Sequence, residues 1–418
     1  MRDKLVNKAR RIRTRLKGSS VFWQSMANYT ERLWGLIYSL ILARLILPEE
    51  FGMFAYGMGI SQMAALLTRW EVGNLVRADP YYQEEGFHSV WSLTKILALA
   101  ESIVVVLAAL VCFLLGVDLS VCVVISVYGV LTAIDKFPVV LRCDLEGRSH
   151  FKSNLIVKLW LPPLAAAITI PLALMGFGVW ALIASSGVAM GLNWFVYSRA
   201  NKRKIENTRV GYSLIRKVVQ PSFWIWVNFI SHTIFLRGDK VVVGASEGSE
   251  NLGYYSRAYN YSPLSFMALG ALAGGPAIVT FRNLNCKRAR LRVYFKRVSL
   301  MSAAGLFFAA IWLLWADLLV PFLFGDNWLS AVIYFKYFAF FGVVQAWYFL
   351  SNSLLQGCRE FKAQGLIKLG CIALAGVVLS LMTVNVLTVA IVLQSAMLMA
   401  GLAMLIYYLI SKKIPHNQ

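Results

Sequence analysis

Seven ionisable side chains stand in stretches that are otherwise strongly apolar. Glu31, Arg32 and Arg44 lie between residues 20 and 45, Arg237, Asp239 and Lys240 between 218 and 244, and Arg257 between 253 and 281. A charge at the centre of a bilayer costs ~2.5–3.5 kcal/mol on an insertion scale, so each needs a partner or a task. Arginine presents a planar fork to phosphate oxygens, and lysine a compact point charge. A cavity rich in both suits an anionic substrate, which makes Arg32, Arg237, Lys240, Arg257 and Arg44 the candidate cationic ligands. Glu31 and Asp239 lower the net field of such a cavity and can exchange protons. With His232, which aligns with Asp239 two turns away, they are the candidate coupling or charge-pair groups. Gln24, Asn28, Glu31, Gly35 and Tyr38 follow a 4-3-4-3 spacing and share one helical face. That face reads as water-filled lining, bordered by Arg32, with Gln62 and Asn260 as further polar lining. Arg237 and Asp239 point about 160° apart around one helix. Asp239 is therefore expected to pair across to an arginine of another helix. Plainer roles stand beside these. Arg44, Lys240 and Lys336 near one boundary, and Lys95 and Lys158 near the other, can snorkel to the surface. His232 also fits as a packing histidine held by a hydrogen bond.

The elements that must position these groups follow from composition. The 418 residues are 59% hydrophobic and only 15% charged, against ~25% charged in soluble domains. Apolar runs approach the ~20 residues that cross a bilayer as helix, and the ten-residue alternation of a membrane barrel is missing. Helices are expected at 20–45, 49–68, 89–115, 119–141, 153–174, 177–198, 218–244, 253–281, 297–324, 329–355, 363–384 and 387–411. The fold class is thus all-α integral membrane with twelve transmembrane helices.

The net charge of +21 would suit nucleic acid if it were spread over a surface. It sits instead in short clusters between apolar runs, which sets topology and speaks against a nucleic-acid partner. Placing the amino terminus inside puts 33 of 41 Lys and Arg residues on the inner side. The outer links, such as Leu47-Pro48-Glu49-Glu50 and Gly116-Val117-Asp118, carry no basic residue. Both termini are expected in the cytoplasm. Met1 to Lys17 is too basic for an ordinary signal peptide and precedes a retained first helix. The basic inner loops would attract anionic membrane lipids. The six cysteines have no metal-binding spacing. Cys112 and Cys122 flank one outer link, where either a disulfide or two packing thiols would fit.

Two segments echo each other across the chain. Leu145-Glu146-Gly147-Arg148 through Lys158-Leu159 resembles Leu355-Gln356-Gly357-Cys358 through Lys368-Leu369, and Glu50-Phe51-Gly52-Met53-Phe54 resembles Asn251-Leu252-Gly253-Tyr254-Tyr255. Six helices per half is an even number, so both halves enter from one side. This predicts two six-helix lobes, 1–198 and 218–418, in a parallel pseudo-two-fold repeat, joined by a basic cytoplasmic linker at 199–217.

Leu42-Ala43-Arg44-Leu45-Ile46-Leu47-Pro48-Glu49-Glu50-Phe51-Gly52 resembles a motif of the polysaccharide and O-antigen flippases (Wzx-type). Their superfamily includes multidrug-and-toxin extruders and the lipid II flippase. Arg237-Gly238-Asp239-Lys240, with Gly244 and Leu252-Gly253-Tyr254-Tyr255 to Ala258, is similar to the motif of the second half of these proteins. The resemblance implies a secondary-type flippase, not an enzyme, in the bacterial inner (plasma) membrane. It implies movement of an undecaprenyl-diphosphate-linked oligosaccharide to the outer leaflet, for O-antigen and lipopolysaccharide, capsule or exopolysaccharide biosynthesis. It further implies alternating access around a cationic cavity formed by the first, second, seventh and eighth helices, with no bound cofactor. A proton or sodium gradient would supply the energy, and a polysaccharide polymerase and glycosyltransferases would be partners. Arg44 carries over as a cavity residue or as lobe packing.

Two other readings remain. A multidrug-type small-molecule antiporter would favour acidic and aromatic lining for cations, whereas the cationic residues are in surplus here. A membrane-embedded glycan polymerase generally needs a substantial outer loop, and the longest outer link runs only from Ala245 to Leu252.

Overall fold

In hydrocarbon an unpartnered backbone N–H or C=O costs several kcal/mol, so long apolar runs must satisfy their own hydrogen bonds as helix. In the computed structural model all regular structure among the described residues is helical. Those residues are 20–70, 72–73, 76, 80–148, 152–201, 206, 208, 211–264, 269–284 and 286–411. The principal helices are α1 (Ser20–Leu45), α2 (Pro48–Ala64), α3 (Phe87–Leu114), α4 (Leu119–Gly147), α5 (Lys152–Leu174), α6 (Val179–Asn201) and α7 (Tyr212–Thr233). They continue with α8 (Asp239–Tyr261), α9 (Gly275–Asn283), α10 (Lys287–Phe324), α11 (Val332–Tyr337), α12 (Phe341–Gly357), α13 (Phe361–Leu381) and α14 (Val386–Ile410).

Among the described residues seven helices are long and apolar enough to cross a membrane, and an eighth span forms if the bent pair Asp326–Tyr337 and Phe341–Gly357, at 54°, is counted as one. The chain is a multi-pass helical membrane protein. Helices α2 and α8 fall outside that set for physical reasons: α2 is only 17 residues long, and α8 carries Asp239, Lys240 and Arg257 within it.

Local sequence explains the ends. Helix α2 starts with Pro48 at its first position and Glu49 and Glu50 in its first turn, where proline lacks no needed bond and acids complement the helix dipole. Glu50 accepts from the Leu47 amide at 3.3 Å. Asn385 and Thr388 form a reciprocal cap at the start of α14, with bonds of 2.8 and 3.0 Å. Where the link Ala245–Leu252 is expected, Gly248 breaks regular helix at φ 80°, ψ 178°, a conformation glycine adopts without a Cβ penalty. Several boundaries differ from the hydropathy expectation: α7 begins at Tyr212 rather than 218, and within the expected 253–281 α8 ends at Tyr261 and α9 begins at Gly275. Helix α4 runs six residues past 141, to Gly147, and α10 begins ten residues before 297, at Lys287. In both cases charged residues, of both signs in α4 and basic in α10, extend the helix beyond its apolar run.

The chain divides into two compact units. One gathers Met1–Leu42, Thr68–Ile103 and Val130–Val218, and the other Ala43–Leu67, Val104–Gly129 and Val219–Gln418. In the first, Trp91 packs near Phe137 and Trp194, with ring centroids at 5.2 and 6.4 Å. Deep in that unit lies an ion pair the hydropathy reading passes over. Glu101 of α3 is fully buried, with Oε2 2.6 Å from Lys136 Nζ of α4. Thr68 and Thr132 hydroxyls donate to the carboxylate at 3.3 and 3.5 Å, and Lys136 also donates to the carbonyls of Leu97 and Thr68. The second unit is built on aromatic side chains, with Trp312, Trp328, Phe335 and Tyr348 fully buried. Cys112 and Cys122 in this unit are free thiols.

Removing one member of a buried ion pair strands the other, at a cost of ~3–5 kcal/mol, whereas replacing both by apolar groups is often neutral. Glu101→Leu is therefore expected to lower the thermal unfolding midpoint in detergent sharply, and the Glu101→Leu/Lys136→Met double variant to recover most of the loss.

Candidate functional site

The polar residues of the second unit concentrate where α7 passes into α8. A π-helical stretch, Ile234–Gly238, joins the two. Such widened turns occur mostly as local insertions and frequently at functional sites. Here the stretch lies directly beside Asp239 and carries Arg237. Arg237 is half-buried and donates from Nε to Gln62 Oε1 of α2 at 3.0 Å. Gln62 in turn donates to the Tyr128 hydroxyl of α4 at 3.3 Å. This relay leaves the η nitrogens of Arg237 available for a second partner.

Asp239 departs from expectation. No arginine forms an ion pair with it among the described residues. The Tyr255 hydroxyl donates to Oδ2 at 2.8 Å, while Oδ1 is buried with no hydrogen-bond partner. The pairing fails because Arg237 is turned to Gln62, on the other side of the helix. Asp239 instead lines a cavity of about 170 Å³, otherwise apolar, with Phe235, Val242, Ile372, Leu379 and Leu393.

Lys240 and Arg257 are held by rings. Lys240 is fully buried, with Nζ 3.9 Å from the Tyr259 ring centroid and donating to the Leu236 carbonyl at 3.0 Å. Arg257 is 6% exposed. Its guanidinium carbon sits 3.6 Å from the Phe51 ring centroid and 5.5 Å from that of Trp328. Cation–π contacts reach ~2 kcal/mol when desolvated, so aromatic faces hold both charges away from water.

Phe51 reaches Arg257 because α2 and α8 touch backbone to backbone. A Cβ on Gly52 would fall 1.5 Å from the Ser249 carbonyl oxygen, and one on Gly253 would fall 1.9 Å from that of Pro48. These are the two glycines of the echoed segments, brought face to face.

The remaining candidates are placed as follows. Arg44 donates to the carbonyls of Phe322 and Leu323, the unsatisfied end of α10, so its guanidinium caps a helix rather than facing a cavity. The Trp328 indole bonds the adjacent Ala43 carbonyl at 2.7 Å. His232 stacks on Tyr348, with Nδ1 3.1 Å from its hydroxyl, which satisfies the ring in a packed position. Asn260 is exposed. Lys336 pairs with Asp317 at 2.7 Å on an exposed face. The side chains of Gln24, Asn28, Glu31 and Arg32 lie outside the described residues. Sequence reasoning missed Glu101 and its partner Lys136, both of which fall inside expected helices. Lys368, which sequence reasoning did not single out as a candidate, is 1% exposed within α13. A lone carboxylate amid the apolar residues after Lys95 in α3 was the available signal for Glu101.

The family model described as polysaccharide biosynthesis protein matches residues 41–333. The succinoglycan biosynthesis transport protein ExoT of Rhizobium meliloti (strain 1021) is 24% identical over 298 residues, covering 70% of this chain and 59% of that protein. An inward-facing multidrug resistance MATE family transporter of the MOP superfamily superposes with a TM-score of 0.64 at 14% identity, over 92% of this chain and 93% of the other. A eukaryotic MATE transporter does so at 0.63 and 12% identity, over 95% and 96%. At these identities the structural likeness is one of fold.

The glycine contact predicts a steric test. Gly52→Val and Gly253→Val are each expected to force α2 from α8, because the obstructing atoms are backbone. Reaction of a Ser249→Cys thiol with maleimide should accelerate at least tenfold in either background, read by gel shift.

Proposed function

Since the chain belongs to the polysaccharide biosynthesis protein family, we propose that it flips an undecaprenyl-diphosphate-linked oligosaccharide from the cytoplasmic to the outer leaflet of the bacterial inner membrane. The reading rests on one observation. Arg237 and Lys240 flank Asp239, a local cationic surplus, and Arg257 follows on α8 beyond Glu247 and Glu250. A diphosphate needs such a surplus, and guanidinium forks match its oxygens.

In this reading twelve spans form two six-helix lobes, 1–198 and 218–418, which rock about the cationic residues, with 199–217 as linker and both termini inside. The contact of α2 with α8 is then the outer closure. While it holds, Phe51 covers Arg257, and the aromatic face stands in for an anion. When α2 leaves, that face is lost and the guanidinium turns to phosphate, so loss of one partner is offset by gain of the other. Arg237 exchanges or shares Gln62 in the same way. A proton or sodium gradient would drive the cycle, and Asp239, with an oxygen unpaired in an apolar cavity, is the residue best placed to respond to it. A polymerase and glycosyltransferases would act on either side of the step.

One observation favours a second reading. The cavity beside Asp239 is small, apolar and acidic, which fits a lipophilic cation, and the fold is shared with MATE transporters. Export of a cationic dye from cells expressing the protein would support it.

Losing a charge-assisted hydrogen bond costs ~1.5–3 kcal/mol, so Arg32→Ala, Arg237→Ala and Arg257→Ala should each reduce glycan export about tenfold or more in a flippase-deleted cell, at unchanged protein level. Full complementation by all three would remove them as substrate ligands. In proteoliposomes, Asp239→Asn and Glu31→Gln are expected to abolish the response of transport to an imposed pH gradient; an intact response in both counts against proton coupling.

A further inference from the structure

The start of α10 sorts its basic residues into two groups. Three turn inward and cap neighbouring chain. Lys287 donates to the Leu409 carbonyl of α14 at 2.7 Å. Arg290, 3% exposed, donates to the Phe281 carbonyl at 2.9 Å. Arg297 donates to the Leu272 carbonyl and the Thr280 hydroxyl at 3.2 and 3.0 Å. The other three, Arg288, Arg292 and Lys296, are exposed and form no hydrogen bond or ion pair among the described residues.

Their spacing of four places them on one stripe, with about 6 Å between successive charges along the axis. The same stripe continues as Leu300, Phe307 and Leu314, which are 52%, 63% and 68% exposed. From Val298 to Ala316 the helix carries no charge, so the boundary of the hydrocarbon falls close to Lys296. One slanting stripe of the helix is therefore cationic over its first turns and apolar beyond them. Topology alone asks only that the end be basic; it does not separate inward caps from an outward row.

We propose that this face of α10 is a binding site for an anionic phospholipid, its phosphate held by Arg288, Arg292 and Lys296 and its acyl chains laid along Leu300 and Phe307. The charge pattern selects the occupant. A phosphate at the headgroup level meets two or three cations whose long side chains reach outward, and the chains meet apolar surface directly below. A soluble acidic partner would use the charges and leave the apolar stripe unexplained. The site is independent of the cargo and stands or falls without the flippase reading.

The test uses the full-length protein in mild detergent, titrated with phosphatidylglycerol or with phosphatidylcholine of the same chains, and native mass spectrometry to count adducts. The unsubstituted protein should favour phosphatidylglycerol, and R288Q/R292Q/K296Q should lose roughly a hundredfold in affinity for it. The charge-matched control K95Q/R199Q/R216Q should keep its affinity. An equal loss in the control, no loss in the triple variant, or indifference to headgroup would overturn the site. Full competition by glycerol 3-phosphate would assign the row to a free phosphate instead and overturn the lipid. If the triple variant does not purify as a single species, R292Q alone carries the test, with an expected loss of about fivefold.

Discussion

Two glycines set how near α2 can come to α8, and the chemistry of the α7–α8 pair depends on that distance. At Gly52 and Gly253 no side chain intervenes, and the carbonyls of Ser249 and Pro48 occupy the space a Cβ would need. Because the helices meet at their backbones, Phe51 reaches across to Arg257 and Gln62 to Arg237. On its own helix Arg257 has the Tyr261 hydroxyl at 3.4 Å and a more distant ring at 5.8 Å, so the close ring face comes from α2. Arg237 has only the Gln62 acceptor described here, and a guanidinium in an apolar interior without an acceptor or a ring face is costly. A close approach in one place thus makes tolerable a set of charges that hydrocarbon would otherwise reject.

The structure handles its buried charges in three ways. Glu101 and Lys136 neutralise each other, with threonine hydroxyls and two carbonyls completing their bonds. Such a pair is static, because removing either member strands the other. Lys240 and Arg257 rest on aromatic faces, which hold a cation less strongly than a carboxylate does and so leave it exchangeable. Arg44 and Lys287 serve as caps for helix ends, where their charge complements the carbonyl end of the dipole. Equal residue types in the sequence therefore have unequal roles.

Much of the fold was legible beforehand. Apolar runs with basic flanks located the helices to within a few residues over most of the chain, because a bilayer-length helix needs little tertiary support for its hydrogen bonds. The misplaced boundaries of α4 and α10 have one cause: hydropathy ends at the first charge, whereas the helix continues while its backbone bonds remain good. Glu101 escaped for a related reason, since a single carboxylate barely alters the mean of an apolar window. The set of cations on α7 and α8 was also legible, as residues that hydrocarbon should exclude. Their partners were not. Asp239 was expected to meet an arginine and meets Tyr255, and Arg257 was read as a cavity ligand and is buried against rings.

The sequence by itself determined that this is a helical membrane protein, where its charges are forbidden without a task, and that two distant segments share a glycine-bearing pattern. Those properties are additive along the chain, each following from local composition and the cost of transfer into lipid. Only the tertiary structure decided that the two glycine segments face each other, which cations stack on rings and which cap helices. A side chain's partner depends on the approach and rotation of another helix, and helical periodicity specifies a face without specifying what it will meet.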